Sequence, residues 1–200
     1  MKKWFSMIVV SLLILLYSCS FVQTESVNRN LFFFNEGVLK AKYKSSFSFF
    51  TDDSLPSEVE LLVIELSRFE SGVLYELKIN YEENFASRDY NGWDRFHIGY
   101  FYVEEDKITM IRHSDVLEER KVVCQEEEKE DVLNKDEKGW HEYILADDNR
   151  REYQGYNNLT ETGFYETFVW EKGKGLVEYR SGFGAEKDGV WLKLISYAGL

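Results

Sequence analysis

Histidine and cysteine side chains are the first places to look for chemistry in this chain, because they supply most metal ligands, general bases and nucleophiles. The three histidines, His97, His113 and His141, have no spacing that would place two of them on one turn, and no Cys–His cluster exists. Cys124 follows two valines and has no activating base near it in sequence, so we interpret it as a small buried thiol. We therefore predict no metal site and no cofactor.

Carboxylates are abundant, and a pair of them is the usual equipment of a glycoside hydrolase. Glu166 and Glu178 lie on adjacent predicted strands, but the predicted register places them on opposite faces. The stretch Gly182-Phe183-Gly184 lacks the third glycine and the following helix of a dinucleotide-binding turn. The chain is thus expected to be non-enzymatic, and the alternative is a hydrolase whose carboxylate pair is not apparent from the sequence.

Aromatic side chains in or near predicted turns are the remaining candidates for a binding role. Exposed rings on a β scaffold stack on sugar faces or anchor a protein partner. Ordinary packing in the core or at a sheet edge is the alternative reading of the same residues. The predicted ligand-binding residues are Tyr90, Trp93, Trp140, Tyr153 and Tyr156.

The strands that would position these residues are predicted from an alternation of apolar and polar side chains with a period of two residues. Apolar and polar residues alternate from Leu39 to Phe49, with three lysines on the polar face, which is typical of a half-buried strand. The segment 96–103 is apolar on both faces and suggests a strand covered on both sides, with His97 as a core histidine. The predicted strands are 32–34, 39–49, 60–66, 73–81, 96–103, 107–112, 141–145, 151–156, 164–170, 176–181 and 190–197.

The hairpin formed by 164–170 and 176–181 has the most specific pattern. If Gly173-Lys174 is a two-residue type II′ turn, Trp170 faces Val177 and Phe168 faces Tyr179. This register makes both strands amphipathic at once, which supports it.

Charged residues dominate the segment 115–138, which predicts one or two short helices or a long solvated excursion. The rest of the chain is a succession of short strands and hairpin turns. We predict an all-β, mainly antiparallel meander that forms a curved sheet, an open barrel or a sandwich, with at most one or two short helices.

The N-terminal residues have the order of a secretory signal: Lys2 and Lys3 come first, and a nearly continuous apolar run, 4–17, follows. The segment Leu16-Tyr17-Ser18-Cys19 then resembles the lipobox of bacterial lipoproteins. In that family the cysteine carries a diacylglycerol on its sulfur and becomes the mature N-terminus. The resemblance implies that 1–18 is a signal peptide and that Cys19 is the lipidation site. The polar residues that follow lack a clear period and predict a flexible tether over 19–30, and the strand pattern predicts a single β-rich domain over 31–200.

Two further blocks, "IGYFYVEEDKI" and "GFYETFVWEKGKGLVEYRSGFGAEKDG", are similar to segments of small uncharacterised bacterial lipoproteins. This resemblance implies a β-rich domain and carries no assigned activity. It is consistent with a protein held on the extracytoplasmic side of a bacterial membrane.

Charge narrows the range of partners. The chain has 24 Lys+Arg against 36 Asp+Glu, a formal net charge of −12, which repels phosphate backbones and excludes nucleic acid as an expected partner. Charge alone would also not draw it to anionic lipids, so lipid on Cys19 is the expected link to the membrane. The expected function is non-catalytic binding of a cell-wall glycan or a protein. A lipid-carrying or export-chaperone β domain is a further alternative.

Overall fold

The computed structural model describes residues 30–47, 56–81, 96–111, 120–127, 131–135, 139–157, 163–183 and 188–198. All strand pairings in this part of the chain are antiparallel, which confirms the predicted all-β class. The strands are β1 (Lys40–Phe47), β2 (Glu58–Arg68), β3 (Val73–Asn80), β4 (His97–Val103), β5 (Lys107–Ile111), β6 (Arg120–Gln125), β7 (Asp131–Lys135), β8 (Trp140–Ala146), β9 (Arg150–Asn157), β10 (Phe164–Glu171), β11 (Gly175–Phe183) and β12 (Asp188–Ala198).

The described strands form one sheet in the order β6-β5-β4-β3-β2-β1-β12-β11-β10-β9-β8-β7. Neighbours in this sheet are also neighbours in sequence, except that β1 pairs with β12. The edges are β6 and β7, and the sheet curves until β6 lies against β9. The result is an almost closed, barrel-like sheet with its gap beside β6.

Alternating side chains decide which face of each strand turns inward. In β1, Ala41 and Tyr43 are fully buried, whereas Lys40, Lys42 and Lys44 are exposed, as predicted. The hairpin of β2 and β3 also confirms its prediction, because alternate residues of β3 from Val73 to Ile79 are buried. Apolar area removed from water contributes roughly 25 cal/mol per Å², so this alternation fixes the register of each pairing.

Aromatic rings fill the centre of the core. The rings of Phe101 and Phe168 meet edge to face with centroids 5.7 Å apart, and Trp170 stacks on Phe168 at 6.3 Å. Such offset and edge-on pairs add to the burial of their apolar area. These rings come from β4 and β10, so they join opposite parts of the curved sheet.

The segment 30–38 closes one end of the sheet, which we call the capped end. Its three phenylalanines, Phe32, Phe33 and Phe34, are at most 4% exposed. The predicted strand over 32–34 is wrong, because the Asn30 side chain accepts hydrogen bonds from the main-chain N–H groups of Phe32 and Phe33, at 3.0 and 3.2 Å, and so forms a turn. The turns 69–72, 104–106, 147–149 and 172–174 also lie at the capped end.

The charged segment 115–138 is extended where the structure describes it, so the predicted helices or solvated excursion there are wrong. It contributes β6 and β7, the two edges of the sheet. Edge strands tolerate charged side chains well, which explains why their sequence lacks a clear apolar face. Among the described residues there is no helix of the length and apolarity needed to cross a membrane.

Two β-bulges alter the predicted registers. Phe168 pairs with Tyr179 as predicted, but Trp170 pairs with Leu176 and not with Val177, which is the extra residue of a bulge. The predicted two-residue turn is also wrong: Lys172 to Lys174 connect the strands, and Gly173 and Gly175 have φ of 73° and 75°.

The second bulge is in β4, where Ile98 is the extra residue. It turns His97 onto the outer face, where the side chain is 22% exposed and Nε2 lies 3.4 Å from Oε1 of Glu76. The prediction of a core histidine is therefore wrong. The prediction of a strand covered on both sides is wrong as well, because Tyr100 and Tyr102 on the outer face are only half-buried.

Candidate functional sites on the two faces of β8 and β9

An aromatic cluster lies on the outer face of β8 and β9. His141 and Tyr156 are cross-strand partners, and their rings stack with centroids 5.2 Å apart and an interplanar angle of 22°. The ring of Tyr143 meets Tyr156 edge-on at 6.2 Å. Tyr156 is 36% exposed. We call these three residues the outer aromatic cluster.

A row of polar side chains continues from this cluster along β9. The Tyr143 hydroxyl donates a hydrogen bond to Oε1 of Gln154, whose Nε2 donates to Oε1 of Glu152 at 2.6 Å. Glu152 in turn pairs with Arg150, with Oε2 and Nη2 2.7 Å apart. Each polar group is thus held in place by the next, which fixes donors and acceptors beside the rings.

Desolvation raises the pKa of Tyr143, and the neighbouring Tyr156 and Glu152 raise it further. The hydroxyl therefore stays protonated and keeps its donor role at physiological pH. A ring surface bordered by fixed polar groups can stack on the C–H face of a sugar and hydrogen-bond its hydroxyls.

The predicted ligand-binding residues have different positions. Tyr156 belongs to the outer aromatic cluster, and Trp140 begins β8. The prediction of an accessible ring is wrong for Tyr153, which is fully buried because it faces inward between Ile144 and Phe168. Tyr90 and Trp93, like the predicted lipidation site Cys19, lie outside the described residues.

The inner face of the same strands carries an acidic cluster that was not predicted from the sequence. Glu142 of β8 and Glu166 of β10 lie on either side of Gly155 of β9 and are 7% and 3% exposed. Nζ of Lys121, in β6, lies 3.3 Å from Oε1 of Glu142 and so links the two sides of the gap in the sheet. We call Lys121, Glu142 and Glu166 the inner acidic cluster.

The alternation that predicted the strands also contained the signal for these acids. Glu166 is two residues from the buried Phe168, and Glu142 is two residues from the buried Ile144. A carboxylate at an inward position is costly unless it is paired, so such a residue is a candidate for function. The predicted separation of Glu166 from Glu178 is confirmed, since Glu178 pairs with Val169 on the outer face.

The inner acidic cluster has the groups needed for acid–base chemistry. Two strand spacings, about 10 Å, separate the main chains of Glu142 and Glu166. Gly155 puts no side chain between them, and flexible carboxylates can approach the separation of about 6.5–9.5 Å found in inverting glycosidases. Within the described ranges, no three His, Cys, Asp or Glu side chains are grouped so as to hold a metal ion.

Cys124 is fully buried, as predicted. Burial raises the pKa of its thiol far above the ordinary value, and the nearby Arg151 offsets this only in part. The thiol is therefore a packing group at neutral pH.

Similarity to known proteins adds no family to this description. No protein-family model matches the sequence, and neither a curated protein nor a solved structure is significantly similar to it.

Proposed function

We propose that the protein is a lipid-anchored lipoprotein on the extracytoplasmic side of a bacterial membrane, and that its β domain binds a ligand without catalysing a reaction. The outer aromatic cluster is the observation that carries the binding role. Anchoring is supported by the sequence from Lys2 to Cys19, because two acyl chains on one cysteine hold a protein stably at a bilayer.

A cell-wall glycan is the ligand that fits the cluster best. Tyr156 offers an exposed ring, and stacking by His141 restricts its motion, which lowers the entropic cost of binding. Gln154 and Glu152 lie beside the rings with their hydrogen-bonding groups already oriented. A protein partner anchored by the same ring is the other ligand class that this surface could take.

Tyr156→Ala in the full chain tests this role. We expect binding to purified peptidoglycan, measured by cosedimentation, to weaken about tenfold, since loss of one aromatic contact costs about 1.4 kcal/mol. Phe69→Ala is the matched control because Phe69 is 52% exposed but lies at the capped end. Equal loss in both variants, or no binding by the parent protein, would contradict the glycan proposal. Mass spectrometry of the protein from its native host tests for acyl chains on Cys19.

A hydrolase is the second candidate, and the inner acidic cluster is the observation that favours it. Glu166→Gln and Glu142→Gln would abolish release of soluble fragments from labelled peptidoglycan. Glu178→Gln is the control, because Glu178 lies on the outer face and pairs with Arg180 and Trp191. Absence of fragment release by the parent protein would end this candidate.

Lipid carriage or export chaperoning receives less support. Either would use an apolar groove or interior, and aromatic side chains occupy the interior of the part of the chain that the structure describes. Phe101, Phe168 and Trp170 are each fully buried there.

A further inference from the structure

Exposed apolar side chains concentrate at the capped end of the sheet. Leu31 and Leu39 are 57% and 68% exposed, and Leu66 and Phe69 are 43% and 52% exposed. Leu31 belongs to the cap, Leu39 directly precedes β1, and the other two lie where β2 turns into β3. We call these four residues the apolar rim. Apolar groups left in water on one side of a domain indicate an interaction surface.

The chain enters the domain at this same end. Asn30 is fixed there by a hydrogen bond of 2.8 Å from its Nδ2 to the carbonyl of Glu104, and the carbonyl of Leu31 accepts one of 2.8 Å from the N–H of Gly173. The residues between Cys19 and Asn30 can span at most about 40 Å. An anchor on Cys19 would therefore keep the capped end within about 40 Å of the bilayer surface, nearer than the chain could keep the opposite end.

Acidic side chains also border the apolar rim. The turn after β4, with Glu104, Glu105 and Asp106, lies directly beside Phe69, whose ring meets that of Tyr102 edge-on at 5.9 Å. Several acids near the rim are paired with cations: Glu60 with Lys40, Glu65 with Arg68, and Glu104 with Lys107. This pairing lowers the repulsion between the rim and anionic headgroups, so the rim can approach a bacterial membrane.

We propose that the apolar rim inserts into the headgroup region of the bilayer that holds the lipid anchor, so that the capped end faces the membrane. This inference rests on the proposed anchoring at Cys19. The outer aromatic cluster lies toward the opposite end, where β8 begins and β9 ends. The orientation thus presents that cluster away from the membrane and toward the cell wall.

Spin labels on single cysteines of the acylated full chain test this orientation. Leu39→Cys and Phe69→Cys place a label on the rim, and Tyr156→Cys places one at the opposite end. Cys124 is fully buried with a raised pKa, so it does not compete for the label. The chain is reconstituted into phosphatidylethanolamine–phosphatidylglycerol vesicles, and collisions of each label with oxygen and with a water-soluble nickel chelate are measured.

We expect the oxygen-to-nickel collision ratio to rise at both rim positions on going from detergent to vesicles, and to stay low at position 156. Acylated protein whose rim labels remain as accessible to nickel as the label at 156 would overturn the inference and leave the anchoring intact. An unmodified Cys19 in the mass spectrum would overturn both.

Discussion

Nε of Arg151 donates a hydrogen bond of 2.8 Å to the main-chain carbonyl of Gln125. Gln125 ends the edge strand β6, so this contact reaches across the gap in the sheet to β9. The same guanidinium donates to the carbonyls of Glu126, Asp147 and Arg150 and lies 4.6 Å from the ring centre of Phe32. One buried side chain therefore joins both sides of the gap to the cap.

Replacing Arg151 by lysine tests how much these hydrogen bonds across the gap stabilise the fold. Lysine keeps the charge but cannot supply the planar fork of donors, so buried carbonyls lose their partners. We expect Arg151→Lys to lower the free energy of unfolding by about 3 kcal/mol. Urea unfolding followed by tryptophan fluorescence measures it. Arg180→Lys is the control, because the Arg180 side chain is 54% exposed, and it should change stability by less than about 0.5 kcal/mol. Similar effects of the two substitutions would contradict the role given to Arg151.

Alanine substitutions at Gly173 and Gly175 distinguish the cost of backbone strain from the cost of steric crowding. Both have positive φ, but a Cβ on Gly175 would lie 2.6 Å from Phe34, whereas one on Gly173 would meet nothing within 4 Å. Gly173→Ala should therefore cost only about 1 kcal/mol, from the left-handed backbone. Gly175→Ala adds the displacement of Phe34, and we expect about 3 kcal/mol in total. Thermal unfolding of the two variants compares them, and equal costs would show that Phe34 moves freely.

Phenylalanine substitutions at Tyr43 and Tyr197 compare the loss of a buried hydrogen bond with the loss of an exposed one. The Tyr43 hydroxyl donates to the carbonyl of Leu176 in the core, and that of Tyr197 donates to the carbonyl of Lys174 at the surface. We expect Tyr43→Phe to cost about 1.5 kcal/mol because it leaves a buried acceptor unpaired. Tyr197→Phe should cost less than about 0.5 kcal/mol, since water replaces the lost donor. Chemical unfolding of both variants tests this, and a larger loss for Tyr197→Phe would refute it.

Because the Cys124 thiol is buried, the free energy of unfolding should change with pH in the alkaline range. The folded thiol has a pKa raised above its ordinary value of 9.0, so its contribution is fully present below pH 9.0. Above that pH the unfolded thiol loses its proton while the folded one keeps it. The free energy of unfolding should then fall by up to about 1.4 kcal/mol per pH unit. Cys124→Ala should remove this part of the slope between pH 9.0 and 10.0, below the ordinary pKa of 10.0 at which half of the unfolded Tyr43 side chain is ionised. Parallel slopes for the two proteins would contradict the assignment.

Local pattern was sufficient to predict most of the strands and their inward faces. In β3 the residues expected to share a face, from Val73 to Ile79, do share it. Each such residue gains from burial on its own, so a short window of sequence carries the information. Edge strands β6 and β7 were not predicted because their stability comes from pairing, and pairing imposes no apolar period on them.

Features that depend on residues far apart in sequence could not be predicted from local pattern. The ring of Phe34, far away in sequence, occupies the space beside Gly175, just after the three-residue turn that follows β10. Tyr153 was predicted as an accessible ring because it lies near a turn in sequence, yet the curvature of the sheet encloses it. Glu142 and Glu166 come together only through the register of β8, β9 and β10. The exposure of the Tyr156 ring could be predicted because exposure at a strand end is largely a local property.

The pairing of β1 with β12 has a consequence for how the chain could be reconnected. Lys40 and Ala198 are cross-strand partners, so both lie at the capped end. A flexible linker from residue 198 to residue 30, with new termini between β6 and β7, would produce a circular permutant in which every adjacent strand pair is also consecutive along the chain. Its mean sequence separation of contacts would fall, and we expect it to refold faster than the parent protein.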